Sequence, residues 1–133
     1  MDGTRPIHLL LIEDDTDSAD AMRSLLRRQG VDVDWVASGK EAVAFFEGGG
    51  KPTVDVILLD LMLPDMDGSD LIRKLARTTD LPPIVIHSAA SQAELRRSAG
   101  ELHPMAILQK PTDWVRLREI LESCRPAANG QPG

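Results

Sequence analysis

The apolar segment Val54–Leu59 reads as a buried strand, and it stops abruptly on Asp60. A strand apolar on both faces needs cover on each of them, which is the environment of a central strand in a parallel sheet packed by helices. A carboxylate at the C-terminal edge of such a strand costs stability unless a charge meets it. Two further strand-like runs also end on ionisable groups. Ile7–Ile12 runs into Glu13-Asp14-Asp15, and Met105–Gln109 runs into Lys110-Pro111.

The rest of the chain repeats the strand–helix alternation. Thr16 or Asp17 is expected to cap a first helix whose Ala19, Met22, Leu25 and Leu26 share one face and which ends at Gly30. Val31–Trp35 alternates strictly, the mark of an edge strand with one wet face. Ser38 and Glu41 have capping-box spacing ahead of a second helix that ends in Gly48-Gly49-Gly50. Leu71, Ile72 and Leu75 give a third helix its buried side, and Pro82-Pro83 opens the strand Ile84–His87, which stops at Ser88. Ser91 and Glu94 repeat the capping-box spacing, but the fourth helix offers only Ala93, Leu95 and Ala99 for burial and reads as a thinly anchored, movable element. A fifth helix places Trp114, Leu117, Ile120, Leu121 and Cys124 on one side. Residues 1–124 thus form one domain, and the polar, Pro/Gly-rich segment 125–133 is expected to be disordered. The fold class is α/β, a doubly wound parallel sheet with helices on both faces. In such a sheet the reactive site lies beyond the C-terminal strand ends.

Composition narrows the function. The 133 residues carry a formal charge of −6, which argues against direct nucleic-acid binding. A single cysteine, Cys124, excludes an intrachain disulfide and a zinc cluster. The longest apolar run, Ile57–Leu63, is interrupted by Asp60 and too short to span a bilayer, and the segment Met1–Pro6 lacks the apolar stretch of a signal peptide. A soluble, cytoplasmic protein without membrane contact is expected.

The chemistry gathers at the rim. Glu13, Asp14 and Asp60 come from neighbouring strand ends, and at about 5 Å separation each like-charged pair repels by roughly 3 kcal/mol at an effective dielectric near 20. A cation relieves that repulsion, and an all-oxygen ligand set favours a hard ion such as Mg²⁺, with the Met62 backbone carbonyl well placed as a further ligand. Helix capping alone accounts for Asp14, Asp15 and Asp17 but not for Asp60 or Lys110. Lys110, ending a core strand before a proline that allows a cis peptide, is placed to hold an anion bonded to Asp60. Ser88, at the end of the fourth strand, can donate to the same anion. A carboxylate nucleophile, a Mg²⁺ cluster, a lysine and a hydroxyl are the parts needed to accept a phosphoryl group as an acyl phosphate.

These segments resemble the receiver domain of two-component response regulators, in particular single-domain, CheY-like receivers. The matching stretches are Leu9–Asp15, Leu58–Gly68, Ser88-Ala89-Ala90 and Lys110-Pro111, in order and spacing, within residues 7 to about 124. The resemblance implies five strands in the order 2-1-3-4-5 and five helices. It implies Asp60 as phosphoacceptor, Glu13 and Asp14 with Asp60 and the Met62 carbonyl as Mg²⁺ ligands, and Ser88 and Lys110 as phosphoryl-binding groups. It further implies a sensor histidine kinase or a histidine phosphotransfer protein as donor.

Two sites depart from the family, one of them a pair of residues. Ile107 stands three residues before the lysine, where an aromatic is usual, so the customary aromatic lever is missing. His103-Pro104 replaces the usual Gly-Ala before strand five. Leu102-His103 and Lys110-Pro111-Thr112-Asp113 resemble stand-alone receivers paired with bacterial phytochrome kinases. Some of these dimerise through helix four, strand five and helix five, which raises the same homodimer face here.

The function expected is therefore a phosphorylatable switch that changes partner binding, with slow self-dephosphorylation and no turnover of an external substrate. The alternative is a receiver module belonging to a longer hybrid kinase or effector-bearing regulator. A hydrolase using Asp60 as nucleophile lacks an extra acid–base residue, and a non-phosphorylating binding module does not explain the intact acids and Lys110. His87, by strand alternation, points away from Ser88 and reads as a packed histidine. Gly48-Gly49-Gly50 follows a helix and is no phosphate cradle, while Trp114 and Cys124 read as packing residues.

Overall fold

The computed structural model describes residues 5–48, 53–78 and 80–125. Strands and helices alternate throughout: β1 His8–Ile12, α1 Thr16–Arg28, β2 Asp32–Val36, α2 Gly39–Glu47, β3 Val56–Leu59, α3 Gly68–Thr78, β4 Ile84–Ser88, α4 Gln92–Leu102, β5 Ala106–Gln109 and α5 Trp114–Ser123. The sheet order is β2-β1-β3-β4-β5 with every pair parallel, as the sequence pattern and the resemblance imply.

Side-chain alternation along the strands divides the core in two. Leu10, Ile12, Ile57, Leu59, Ile84 and Ile86 face α2, α3 and α4, where they meet Ala42, Leu71, Ile72, Leu75, Leu95 and Leu102. Leu9, Leu11, Val56, Leu58, Val85 and Leu108 face α1 and α5, packing on Ala19, Met22, Leu26, Leu117 and Leu121. Both faces of β1 and β3 are buried, which is why those strands read as unbroken apolar runs. The sheet's edge strands are β2, paired with β1, and β5, paired with β4. On β2, Val33 and Trp35 pack at the border of the α1/α5 face as the alternation predicts, but Asp34 on the opposite face is half-exposed as they are, because it bonds to the His8 ring.

The helix ends follow local chemistry, with some differences from the expected boundaries. Asp15, not Thr16 or Asp17, caps α1: it is extended, and its carboxylate accepts the Ser18 amide at 2.8 Å. Past the cap residue Gln29, Gly30 turns the chain with φ +80°. Ser38 accepts the Glu41 amide at 3.1 Å, but Glu41 reaches back to the Ala37 amide, one residue earlier than a capping box requires. Gly48 ends α2, while Gly49 and Gly50 lie outside the described residues. On α4 the anchors are Leu95 and Leu102, and Ala93 is exposed; Leu102 falls one turn beyond the expected stripe because the helix runs further. The α5 stripe packs as expected, with Trp114, Ile120 and Cys124 at its border. Strands β3 and β5 start at Val56 and Ala106, slightly later than the apolar runs. Of the segment expected to be disordered, only Arg125 is described and residues 126–133 lie outside the description.

Candidate functional site

Parallel register carries the polar strand ends to one rim. The Asp60 amide donates to the Ile12 carbonyl at 3.0 Å, the Glu13 amide to Val36 at 3.1 Å, and the Lys110 amide to Ser88 at 2.9 Å. Ladder hydrogen bonds thus continue one residue past the regular strands and set Glu13, Asp60, Ser88 and Lys110 side by side. Trp35 fastens the backbone from the edge strand, its indole N–H donating to the Glu13 carbonyl at 2.7 Å. The Lys110–Pro111 peptide is cis.

Asp60 is buried and every partner it has here is a donor. The Ser88 hydroxyl reaches Oδ1 at 3.0 Å, the Met62 amide reaches the same oxygen at 3.0 Å, and Lys110 Nζ stands 3.1 Å from Oδ2. Lys110 also donates to Glu13 Oε1 at 2.6 Å, and the Asp15 amide donates to Glu13 Oε2 at 3.2 Å. Ser88 is fully buried; its oxygen accepts the Ala90 amide at 3.2 Å, so its single proton is left for Asp60. The structure therefore brings Glu13, Asp60, Ser88 and Lys110 into one bonded network. Asp14, exposed beside them, offers a carboxylate oxygen within 4.8 Å of those of Glu13 and Asp60. Met62 contributes its amide, and its side chain is exposed.

The electrostatics follow from that geometry. Burial alone would raise the Asp60 pKa, but the Met62 amide and Lys110 outweigh it and hold the carboxyl below its ordinary value. Glu13 goes the other way: burial, helped by the nearby Asp60 charge, lifts it above the usual range despite Lys110. Lys110 loses hydration, yet the bonds to Glu13 and Asp60 raise its pKa. Glu13 and Asp60 share the Lys110 ammonium and Asp14 adds a third carboxylate close to theirs, so negative charge is in surplus, and these carboxylate oxygens fit a hard divalent cation.

Several supports have no local signal in the sequence. Asp65, in the loop after Asp60, accepts the Gly39 and Lys40 amides at 2.9 Å each and so caps α2 from 25 or 26 residues away. A Cβ at Gly39 would lie 2.5 Å from the Met66 side chain of the same loop, which would have to shift to admit it. Asp55, inside the apolar run, takes the His8 amide at 2.8 Å and pairs with Arg5 at 2.7 Å. His87 is buried as expected and hydrogen-bonded to Thr112 Oγ1 at 2.7 Å. Ile107 is half-buried against the α2–α4 side of the core.

The sequence model of the response regulator receiver domain matches residues 9–122. The chain is 36% identical over 130 residues to the sensory transduction protein RegX3 of Mycolicibacterium smegmatis, covering 94% of this chain and 54% of that one; it spans about half that relative's length. A CheY-like receiver domain from Methylobacillus flagellatus superposes with a TM-score of 0.77 at 30% identity, over 90% of this chain and 98% of that one. The receiver domain of the sensor histidine kinase PA1611 from Pseudomonas aeruginosa PAO1, solved with a magnesium ion in its active-site cleft, gives 0.77 at 28% identity over 89% and 96%. Among the described residues no helix is long and apolar enough to cross a membrane. With its sheet order, its acidic rim and these matches, the chain belongs to the receiver domains of two-component response regulators.

Proposed function

We propose that this chain accepts a phosphoryl group on Asp60 from a phosphohistidine and uses the acyl phosphate to switch partner binding. The observation that carries this reading is the convergence of an amide, a hydroxyl and an ammonium on one buried carboxylate. A carboxylate held below its ordinary pKa stays ionised and nucleophilic at neutral pH. In the transfer an Asp60 oxygen forms the new O–P bond as the P–N bond of the donor imidazole breaks, and the imidazole leaves with the bonding pair. Lys110 and Ser88 then donate to the phosphoryl oxygens in place of the carboxylate oxygens they now hold. Glu13, Asp14, Asp60 and the Met62 carbonyl would hold Mg²⁺, which supplies positive charge against the incoming phosphoryl group.

The donor is a sensor histidine kinase or a histidine phosphotransfer protein, met in the cytoplasm. The groups around Asp60 among the described residues, Glu13, Ser88 and Lys110, are bonded to it or to one another, which supports a cycle of self-modification followed by slow hydrolysis. The test is intact-mass analysis after incubation with Mg²⁺ and phosphoramidate. One phosphate is expected per wild-type chain and none on Asp60→Asn or with EDTA. An unmodified wild-type chain under saturating donor would refute the reading.

A further inference from the structure

Resting on the phosphoacceptor reading, we propose that Gln109 is a positioning residue for phosphoryl acceptance, clamping the loop that aims Ser88 at Asp60. Gln109 lies opposite Ser88 in the β4–β5 register. Its amide nitrogen donates to the Ala90 carbonyl at 3.1 Å, and its oxygen accepts from Gln92 Nε2 at 2.7 Å. A carbonyl only accepts, so the contact with Ala90 fixes which end of the Gln109 amide faces it. The Ala90 residue is thereby held at both ends, its N–H by Ser88 Oγ at 3.2 Å and its C=O by Gln109.

That double hold has a chemical consequence. While the Ala90 N–H occupies the Ser88 oxygen, the hydroxyl proton is directed to Asp60 Oδ1 at 3.0 Å. A loop free to shift would lose that aim. Gln92 is the first residue of α4, so the same clamp ties the loop to the helix with few buried anchors, Leu95 and Leu102. Two residues earlier on β5, Ile107 has no hydrogen-bonding side chain, so Gln109 is the β5 residue whose side chain bonds the Ser88 loop among the described residues, beside the main-chain bond from Lys110 to Ser88. When Ser88 moves onto a phosphoryl oxygen, the Ala90 peptide moves with it and loads the bonds to Gln109 and, through it, Gln92.

The experiment compares phosphoramidate-driven phosphorylation of the wild type, Gln109→Met, Gln109→Ala and Gln92→Ala, by intact mass over time and across a Mg²⁺ titration. Gln109 is exposed, so both of its variants should fold, which thermal unfolding checks. Both are expected to lower the maximal rate about fivefold, the worth of one neutral hydrogen bond, with the half-saturating Mg²⁺ concentration unchanged. Gln92→Ala keeps the Ala90 carbonyl held and is expected within about twofold of the wild type. Gln109 variants at the wild-type rate would overturn the proposal alone, as would a parallel shift in Mg²⁺ dependence, which marks general loosening. Gln92→Ala as slow as Gln109→Met would also overturn it, placing the effect in α4. A wild-type chain that gains no phosphate removes both the phosphoacceptor reading and the proposal.

Discussion

Lys110 Nζ stands 2.6 Å from Glu13 Oε1 and 3.1 Å from Asp60, so the ammonium sits closer to a proposed metal ligand than to the proposed phosphoacceptor. It occupies part of the field that a cation would otherwise fill. Replacing it with Met leaves Glu13 and Asp60 repelling each other across a partly buried site. Divalent cation affinity is expected to rise in Lys110→Met by on the order of tenfold, because one positive charge a few ångströms away no longer opposes the ion. Phosphorylation should nevertheless slow. Calorimetric Mg²⁺ titration of the unphosphorylated protein decides the first point, and a fall in affinity would contradict it.

Asp65 ties the loop after Asp60 to the first turn of α2 through two amides. Asp65→Ala leaves both N–H groups to water and is expected to cost about 1 kcal/mol of stability, the usual loss of a capping side chain. Urea unfolding measures it, and amide exchange should quicken at Gly39 and Lys40 before it does in β1.

His87 is buried beside Lys110 on the strand that carries Ser88, and burial first, then the Lys110 charge, lowers its pKa from 6.5 to about 4. The folded state keeps it neutral while the unfolded chain protonates it, so its contribution is present above pH 6.5 and is lost as pH falls toward 4. Between pH 7 and pH 5 this group should remove about 2 kcal/mol of stability. His87→Gln, which does not titrate, is expected to lose that much less over the same interval in denaturant unfolding. Equal losses in both proteins would show that other groups govern the acid limb.

His103 ends α4 in the left-handed region, with φ +48°, at the place where the family usually carries glycine. A Cβ there costs about 1 kcal/mol, part of which glycine returns through its extra freedom in the unfolded chain. His103→Gly is expected to raise stability by about 0.5 kcal/mol with phosphorylation unchanged, read from paired denaturant and mass measurements.

Much of this molecule was legible along the chain because its central strands β1, β3 and β4 are buried on both faces and their ends are abrupt. The unbroken runs through Leu9–Ile12 and Val56–Leu59, and the stripes of α1, α3 and α5, depend on periodicity alone. Glu13 and Asp60 were legible for the same reason: an ionisable residue ending a buried strand has few places to go. Lys110 ends the partly buried edge strand β5, and it was legible from its place opposite those acids. Helix α4 was harder, since short stripes do not fix where a helix stops, and Leu102 rather than Ala93 became its anchor.

What the sequence determined by itself is the alternation of elements and the chemical kinds of group at each strand end, both local properties of the chain. Tertiary structure alone decided how those groups share protons and charge. Lys110 divides itself between Glu13 and Asp60, Ser88 spends its oxygen on Ala90 and its proton on Asp60, and Asp65 and Gln109 hold segments distant from them or looped back against them. Hydrogen bonds are directional and reach about 3 Å, so which donor meets which acceptor is settled only when register and packing bring the strand ends together.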